Sequence, residues 1–329
     1  MLTSTYFISL VILFGFIFDF INGFHDAANS IATIVTTGVL TPRQAVLWAA
    51  FFNFIAFAIF NLSVAETIGH GLIEPSVVDP GLIFSALCGA IVWNLITWYY
   101  GLPSSSSHAL VGGLIGVASA KAGFAALKLS GLTKILIGIV VAPLLGMIAG
   151  IIITIFFQYM SQYFNQDRLL KNFKIMQLFS SAILSLTHGG NDAQKTMGII
   201  AGLLFSASWL GDIFYVPFWV VISCQAVISL GTLSGGWRII NTLGTRITDL
   251  TPVSGCAAET GSAMIIFMTT QQGIPVSTTH TVTGAIAGVG MVHGFSGARW
   301  AMLCKIFFTW IVTIPAAAAV AIGINYMIF

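Results

Sequence analysis

Charge is what this sequence has least of. Only 7% of its 329 residues are Asp, Glu, Lys or Arg, with 12 basic against 10 acidic side chains and a formal net charge of +2. A soluble domain carries about a quarter charged residues, so this chain lacks the charge to wet its own surface. That excludes a soluble enzyme and a disordered protein. No basic block exists that could follow a phosphate backbone, which excludes a nucleic-acid binder. Cysteine is scarce and scattered: Cys88, Cys224, Cys256 and Cys304 show neither CxxC nor metal-ligand spacing and read as small core residues. No HxxxH or HExxH spacing occurs, so neither a fixed metal nor a cofactor is expected. Without a nucleophile–base pair, a membrane enzyme is disfavoured. The first apolar stretch lacks a basic n-region and runs into Asp19, Asn22, His25 and Asp26, unlike a cleavable signal peptide.

What is present is apolar residue, 57% of the chain, together with 34 glycines and a mean hydropathy of +0.98. The fold class is therefore an all-α polytopic membrane protein. Runs near 6–24, 46–65, 82–101, 134–160, 217–235 and 305–324 are long enough to cross a bilayer. Shorter apolar pieces at 27–38, 107–120, 175–187, 196–210, 259–272 and 279–292 are cut by Gly, Pro, Ser and Asn and predict broken or re-entrant helices. Irregular backbone at membrane depth is tolerated only where it is buried in protein or lines a cavity, so function is sought at these breaks.

The chain repeats itself. Gly101-Leu-Pro-Ser-Ser-Ser-Ser-His108 returns as Gly273-Ile-Pro-Val-Ser-Thr-Thr-His280, and the match continues through Gly112/Gly284 and Gly116/Gly288 at an offset of 172. His25-Asp-Ala-Ala-Asn29 returns as Asn191-Asp-Ala-Gln-Lys195 at an offset of 166. The repeated unit is half the chain: a first repeat over 1–160, a cytoplasmic linker over 161–174 and a second repeat over 175–329. The segment 66–81 holds three acids and no Lys or Arg and is expected outside. Arg43, Arg168, Lys171, Lys174, Arg238 and Arg246 are expected inside. Three crossings plus one hairpin per half make the repeats inverted, with both termini outside. Lys121, Lys128 and Lys134 then fall outside, against the charge rule.

Asp26 and Asp192 hold the same repeat position near membrane depth, where a carboxylate costs a few kcal/mol. They are read either as helix caps or as groups that bind a proton or cation in a shared cavity, with Asn22, Asn29 and Asn191 beside them. The hydroxyl runs at 104–107 and 277–279 each follow a proline and precede an apolar helix, the pattern of a helix N-terminus. Free N–H groups, the positive dipole end and the hydroxyls of Ser105, Ser106, Ser107, Ser277, Thr278 and Thr279 make an anion site. Lys195 replaces Asn29 in the repeat and is either a fixed cation beside the anion or beside Asp192, or a snorkelling lysine. Glu259 is a solvated span end or an ion ligand, and His108 and His280 support the hydroxyl runs.

These four motifs, with Leu250-Thr-Pro and Ser254-Gly255 ahead of Glu259, resemble the inorganic phosphate transporter (PiT) family over essentially the whole chain. The resemblance implies a dimeric secondary transporter of inverted repeats, with phosphate held between the repeated motifs. His25 and Lys195 replace asparagines of the eukaryotic motif, and Asn53 stands where sodium-coupled eukaryotic members have a glutamate. These features resemble the bacterial low-affinity branch, which implies proton-coupled import of phosphate through the inner membrane, with a divalent metal travelling as a metal–phosphate complex. A sulfate permease, a sodium-coupled symporter and an anion channel are the rival readings. Paired intramembrane acids disfavour the channel, and hydrogen phosphate can donate a proton to a carboxylate where sulfate cannot.

Overall fold

The computed structural model describes residues 4–163, 166–292 and 294–329, and among these it is helical with no strand. The first half runs α1 (Thr5–Thr36), α2 (Pro42–Ile55), α3 (Ser63–His70), α4 (Pro80–Tyr99), α5 (Ser106–Ala122) and α6 (Leu129–Ser161). The second runs α7 (Gln166–Ser206), α8 (Phe218–Ser234), α9 (Trp237–Thr245), α10 (Pro252–Gln271), α11 (Thr278–Met291) and α12 (Trp300–Ile328). The order of long, bent, paired and long helices is the same in both. Even the prolines inside the closing helices, Pro143 of α6 and Pro315 of α12, recur at the offset of 172.

Local chemistry starts several helices. Thr41-Pro42, Asp79-Pro80 and Thr251-Pro252 each place a capping side chain ahead of a proline at the first helical position. The caps accept from the backbone N–H of Gln44, Leu82 and Ser254 respectively. Two bends are sharp: α2 turns 82° into α3, and α8 turns 72° into α9. The expected span over 46–65 is thus broken near its end.

The breaks expected at the aspartate motifs do not exist. α1 and α7 run unbroken through 22–30 and 188–196, so Asp26 and Asp192 lie in helix interiors and cap nothing. The glycines read there as breakers serve close packing instead. A Cβ on Gly23 would lie 2.1 Å from the carbonyl oxygen of Ile228, and one on Gly189 would lie 2.6 Å from that of Asn53. α7 has 41 residues, about 60 Å at 1.5 Å per residue, so it extends well past a hydrocarbon core of about 30 Å. Of the expected linker, residues 164 and 165 lie outside the described residues, as do the side chains of 166–168, and helix begins at Gln166.

α1 and α7 run antiparallel. Thr196, late in α7, bonds Asp19 midway along α1, and Gln177, early in α7, meets Thr37 just past the end of α1. The halves also interlock, since α6 packs on α11 and α12 packs on α5. Gly284 on α11 makes one of these seams, where a Cβ would strike the carbonyl of Pro143 at 2.2 Å. Both ends of the described chain share one end of the bundle, because the rings of Phe7 and Phe329 meet with centroids 5.8 Å apart. The acidic 66–81 segment lies at that same end. There Lys121 pairs with Asp79 and Lys128 donates to the carbonyl oxygen of His70 at 3.0 Å. Local partners therefore engage two of the three lysines that offend the charge rule.

Candidate anion and cation site

A polar stripe runs along one face of α1: Asp19, Asn22, Asp26, Asn29 and Thr33, spaced three and four residues apart. All five are buried. α7 faces it with His188, Asp192 and Lys195, also one face of a helix, and α11 points its N-terminus between them. Burying so many polar groups costs several kcal/mol unless they find partners, and most of them find one another.

Asp26 and Asp192 come together from opposite halves. Ligand atoms of Asp26, His188 and Asp192 all lie within 4.8 Å of one another, close enough to share a cation. Asp26 Oδ1 accepts from His25 Nδ1 at 2.7 Å and from the Thr279 hydroxyl at 3.3 Å, while His25 Nε2 lies 3.0 Å from Thr97 Oγ1. Asp192 Oδ1 accepts from Lys195 Nζ at 2.6 Å, and its Oδ2 accepts from the Thr278 hydroxyl at 3.1 Å. Lys195 Nζ also donates to the carbonyl oxygen of Val276 at 3.0 Å and is wholly buried, so it does not snorkel. Asn29 donates to Thr278 at 3.2 Å and to Thr279 at 3.0 Å, joining α1 to the start of α11.

The hydroxyl runs divide their labour. Ser105 and Ser277 are N-caps, accepting from the backbone N–H of His108 and His280 at 3.2 Å each. Each oxygen thus accepts one cap bond and keeps its O–H to donate. Ser106, Ser107, Thr278 and Thr279 occupy the first positions of α5 and α11, where backbone N–H groups are free of helical partners. The two starts meet, because the rings of His108 and His280 touch edge to face with centroids 4.6 Å apart. Trp310 stacks on His280 at 3.7 Å. Ser106 Oγ and Asn29 Oδ1 are buried with no hydrogen-bond partner in the protein, as are both side-chain polar atoms of Asn22. Such atoms are rare in a native chain, and here they border two helix N-termini, a lysine and two carboxylates. The donor set suits a compact, multiply charged anion beside a cation.

Two sequence candidates stand apart. Glu259 on α10 lies beside Thr33, two turns along α1 from Asp26. It accepts from Thr33 at 2.5 Å, Gln177 at 2.9 Å and Ser180 at 2.5 Å, all buried, so it is no solvated span end. Asn191 donates to Thr270 at 2.8 Å. Sequence reasoning passed over His188, whose Nε2 lies 3.4 Å from Asp192 Oδ2 while Nδ1 lies 3.3 Å from Asn53 Oδ1. A histidine one turn before an aspartate was the available clue, hidden because the third group of the cluster comes from the other half. Asn53 is in turn fixed by donating to Thr232 at 2.8 Å.

The sequence profile of the phosphate transporter family matches residues 22–169 and 158–321. The chain is 55% identical over 304 residues to a probable low-affinity inorganic phosphate transporter of Rhizobium meliloti (strain 1021), spanning 92% of this chain and 91% of that protein. It is 42% identical over 325 residues to a probable low-affinity inorganic phosphate transporter of Bacillus subtilis (strain 168), spanning 97% of each. A solved structure described as the sodium-dependent phosphate transporter matches with a TM-score of 0.90 at 25% identity, covering 98% of this chain and 99% of that one.

Proposed function

This chain belongs to the phosphate transporter family, and we propose that it imports inorganic phosphate through the cytoplasmic membrane by alternating access, coupled to protons. The observation that carries this reading is the meeting of Asp26 and Asp192 beside Thr278, Thr279 and Lys195, one acid from each half, at two converging helix N-termini. Phosphate binds the N–H groups and hydroxyls at the starts of α5 and α11, with Lys195 and Asn29 alongside. Asp26 and Asp192 take up the coupling charge: protons, a divalent metal accompanying the phosphate, or both. His25 and His188 hold these carboxylates in place.

The bundle end bearing the acidic segment and both chain ends is the outer face, and the end bearing Arg43, Lys171, Lys174 and Arg238 is the cytoplasmic one. Antiparallel α1 and α7 and the interlocked closing helices support repeats inserted in opposite senses. Sodium coupling is the second reading, favoured by the likeness to a sodium-dependent transporter. Against it stands Lys195, a tethered cation bonded to Asp192, where a mobile ion would otherwise balance the charge. The test is uptake of labelled phosphate into proteoliposomes with proton and sodium gradients imposed separately. Concentrative uptake with an inward proton gradient and no sodium supports the proposal. Uptake that requires sodium overturns it.

A further inference from the structure

One buried acid has no part in the cluster of Asp26, His188 and Asp192. Asp19, on α1, is fully buried two turns from Asp26, about 10 Å at 1.5 Å per residue, toward the bundle end with the acidic segment. Its Oδ1 accepts one hydrogen bond, from the Thr196 hydroxyl at 2.8 Å. Its Oδ2 is buried with no partner in the protein, and one turn further on Asn22 is unpartnered at both polar atoms.

The other buried acids are better supplied. Glu259 accepts three hydrogen bonds, Asp192 holds a lysine, and Asp26 holds a histidine and a hydroxyl. Among the described residues no cation lies within ion-pair distance of Asp19. α7 presents Asp192, whose charge repels that of Asp19, and Lys195 is spent on Asp192. α8 carries one titratable group, the thiol of Cys224, α4 carries only Cys88 and, at its far end, Tyr99, and α9 carries only Arg238, which is bonded to the Tyr99 carbonyl. An ionised carboxylate in such a place is strongly penalised, whereas a protonated one is neutral and gains a donor for the free side.

We propose that Asp19 is a further proton-bearing side chain of the transport cycle, beside Asp26 and Asp192, loaded from the outer face and placed to make phosphate binding depend on its proton. The inference rests on the proton-symport reading. With the outer side open, a proton from hydronium bonds to Oδ2 and leaves water behind. With the inner side open, that O–H bond breaks, the electron pair stays on oxygen and the proton passes to water. An ionised Asp19 repels an incoming phosphate dianion and a neutral one does not. Proton and phosphate therefore favour each other's binding, reciprocally.

The test compares the parent with Asp19→Asn, which keeps an oxygen for Thr196 but carries no titrating proton. In proteoliposomes the variant is expected to lose at least tenfold of uptake driven by an inward proton gradient. Exchange of internal for external phosphate, which moves no net proton, stays within a fewfold of the parent. Gradient-driven uptake equal to the parent's overturns the assignment of Asp19 while leaving proton symport intact. A parent that ignores the proton gradient overturns both. If Asp19→Asn does not fold, Thr196→Val serves, since it removes the one bond that favours the ionised form. The pH at which uptake is half-maximal then moves upward by about half a unit to one unit, and an unmoved profile overturns the proposal.

Discussion

The hydroxyl of Thr242 donates to the carbonyl oxygen of Gly101 at 2.7 Å, tying the short helix after one bend to the tip of the opposite half's hairpin. The mirror bond exists at the other end, where Thr67 on α3 donates to Gly273 at 2.8 Å. Gly101 and Gly273 have φ of 65° and 67°, a left-handed turn that favours glycine. Two residues earlier, Tyr99 and Gln271 are held too. Arg238 donates to the Tyr99 carbonyl and stacks over its ring at 4.9 Å, and Asn61 donates to the Gln271 side chain at 3.0 Å. Each short helix therefore latches one hairpin, at opposite ends of the bundle. Latches that open in turn are what alternating access requires.

Removing one latch should bias its own side open. Thr242→Val is expected to raise several-fold the rate at which an impermeant thiol reagent labels a cysteine placed at Leu102. It should also cost about 1 kcal/mol of stability for the lost bond. Thr67→Val should do the same for a cysteine at Ile274, from the opposite membrane face. Labelling rates that do not change would make these bonds mere packing.

Ser106 and Thr278 each offer a hydroxyl at a helix start, and each is expected to contact phosphate. Ser106→Ala and Thr278→Ala should weaken phosphate binding by about 1–2 kcal/mol, near tenfold, because a charged partner loses a donor in a dry site. Calorimetry reads this directly. Ser105→Ala and Ser277→Ala should instead lower thermal stability by about 1 kcal/mol, the cost of a lost cap.

This division of labour was only half legible in the sequence. The repeat of proline, hydroxyls and histidine announced two helix N-termini, because capping chemistry is local. Which hydroxyl caps and which stands at the first helical position depends on one residue of register. The continuity of α1 and α7 was hidden because Gly23 and Gly189 mark close approach of another helix and Gly190 makes room for the ring of Phe60, and a sequence does not distinguish that from a break. The donors around Glu259 and the contact of His188 with Asn53 were hidden for a related reason: these pairs lie 79 or more residues apart, in elements that only tertiary packing brings together.

Glu259 is held by a threonine, a glutamine and a serine, all donating. Glu259→Gln sets an amide N–H₂ against those donors and leaves a buried group unsatisfied, expected to cost about 1–3 kcal/mol. Thermal denaturation in detergent should show a clearly lower midpoint. A midpoint equal to the parent's would mean the cage is loose enough to turn, and Glu259 would then be free to move during transport.

The ion pair of Lys195 with Asp192 separates a structural role from a functional one. Both side chains are essentially inaccessible, so Lys195→Met leaves an uncompensated buried carboxylate, which costs about 3–5 kcal/mol where measured in other proteins. Changing Asp192→Asn as well removes that charge, and the double variant should regain most of the stability lost by the single one. If the pair only glued α7 to the start of α11, regained stability would bring regained transport. Transport is expected to stay lost, because on the proposed mechanism the double variant would lack both the cation that balances phosphate and the acid that carries coupling charge. A stable double variant that accumulates phosphate against a gradient would move both functions elsewhere. Lys195→Asn, which restores the repeat's own residue, is the complementary measurement. With the tethered cation gone, uptake without sodium should fall, and added sodium should restore part of it by occupying the space between Asp26, His188 and Asp192. Sodium-free uptake at the parent's rate would show that the lysine balances no charge in transport.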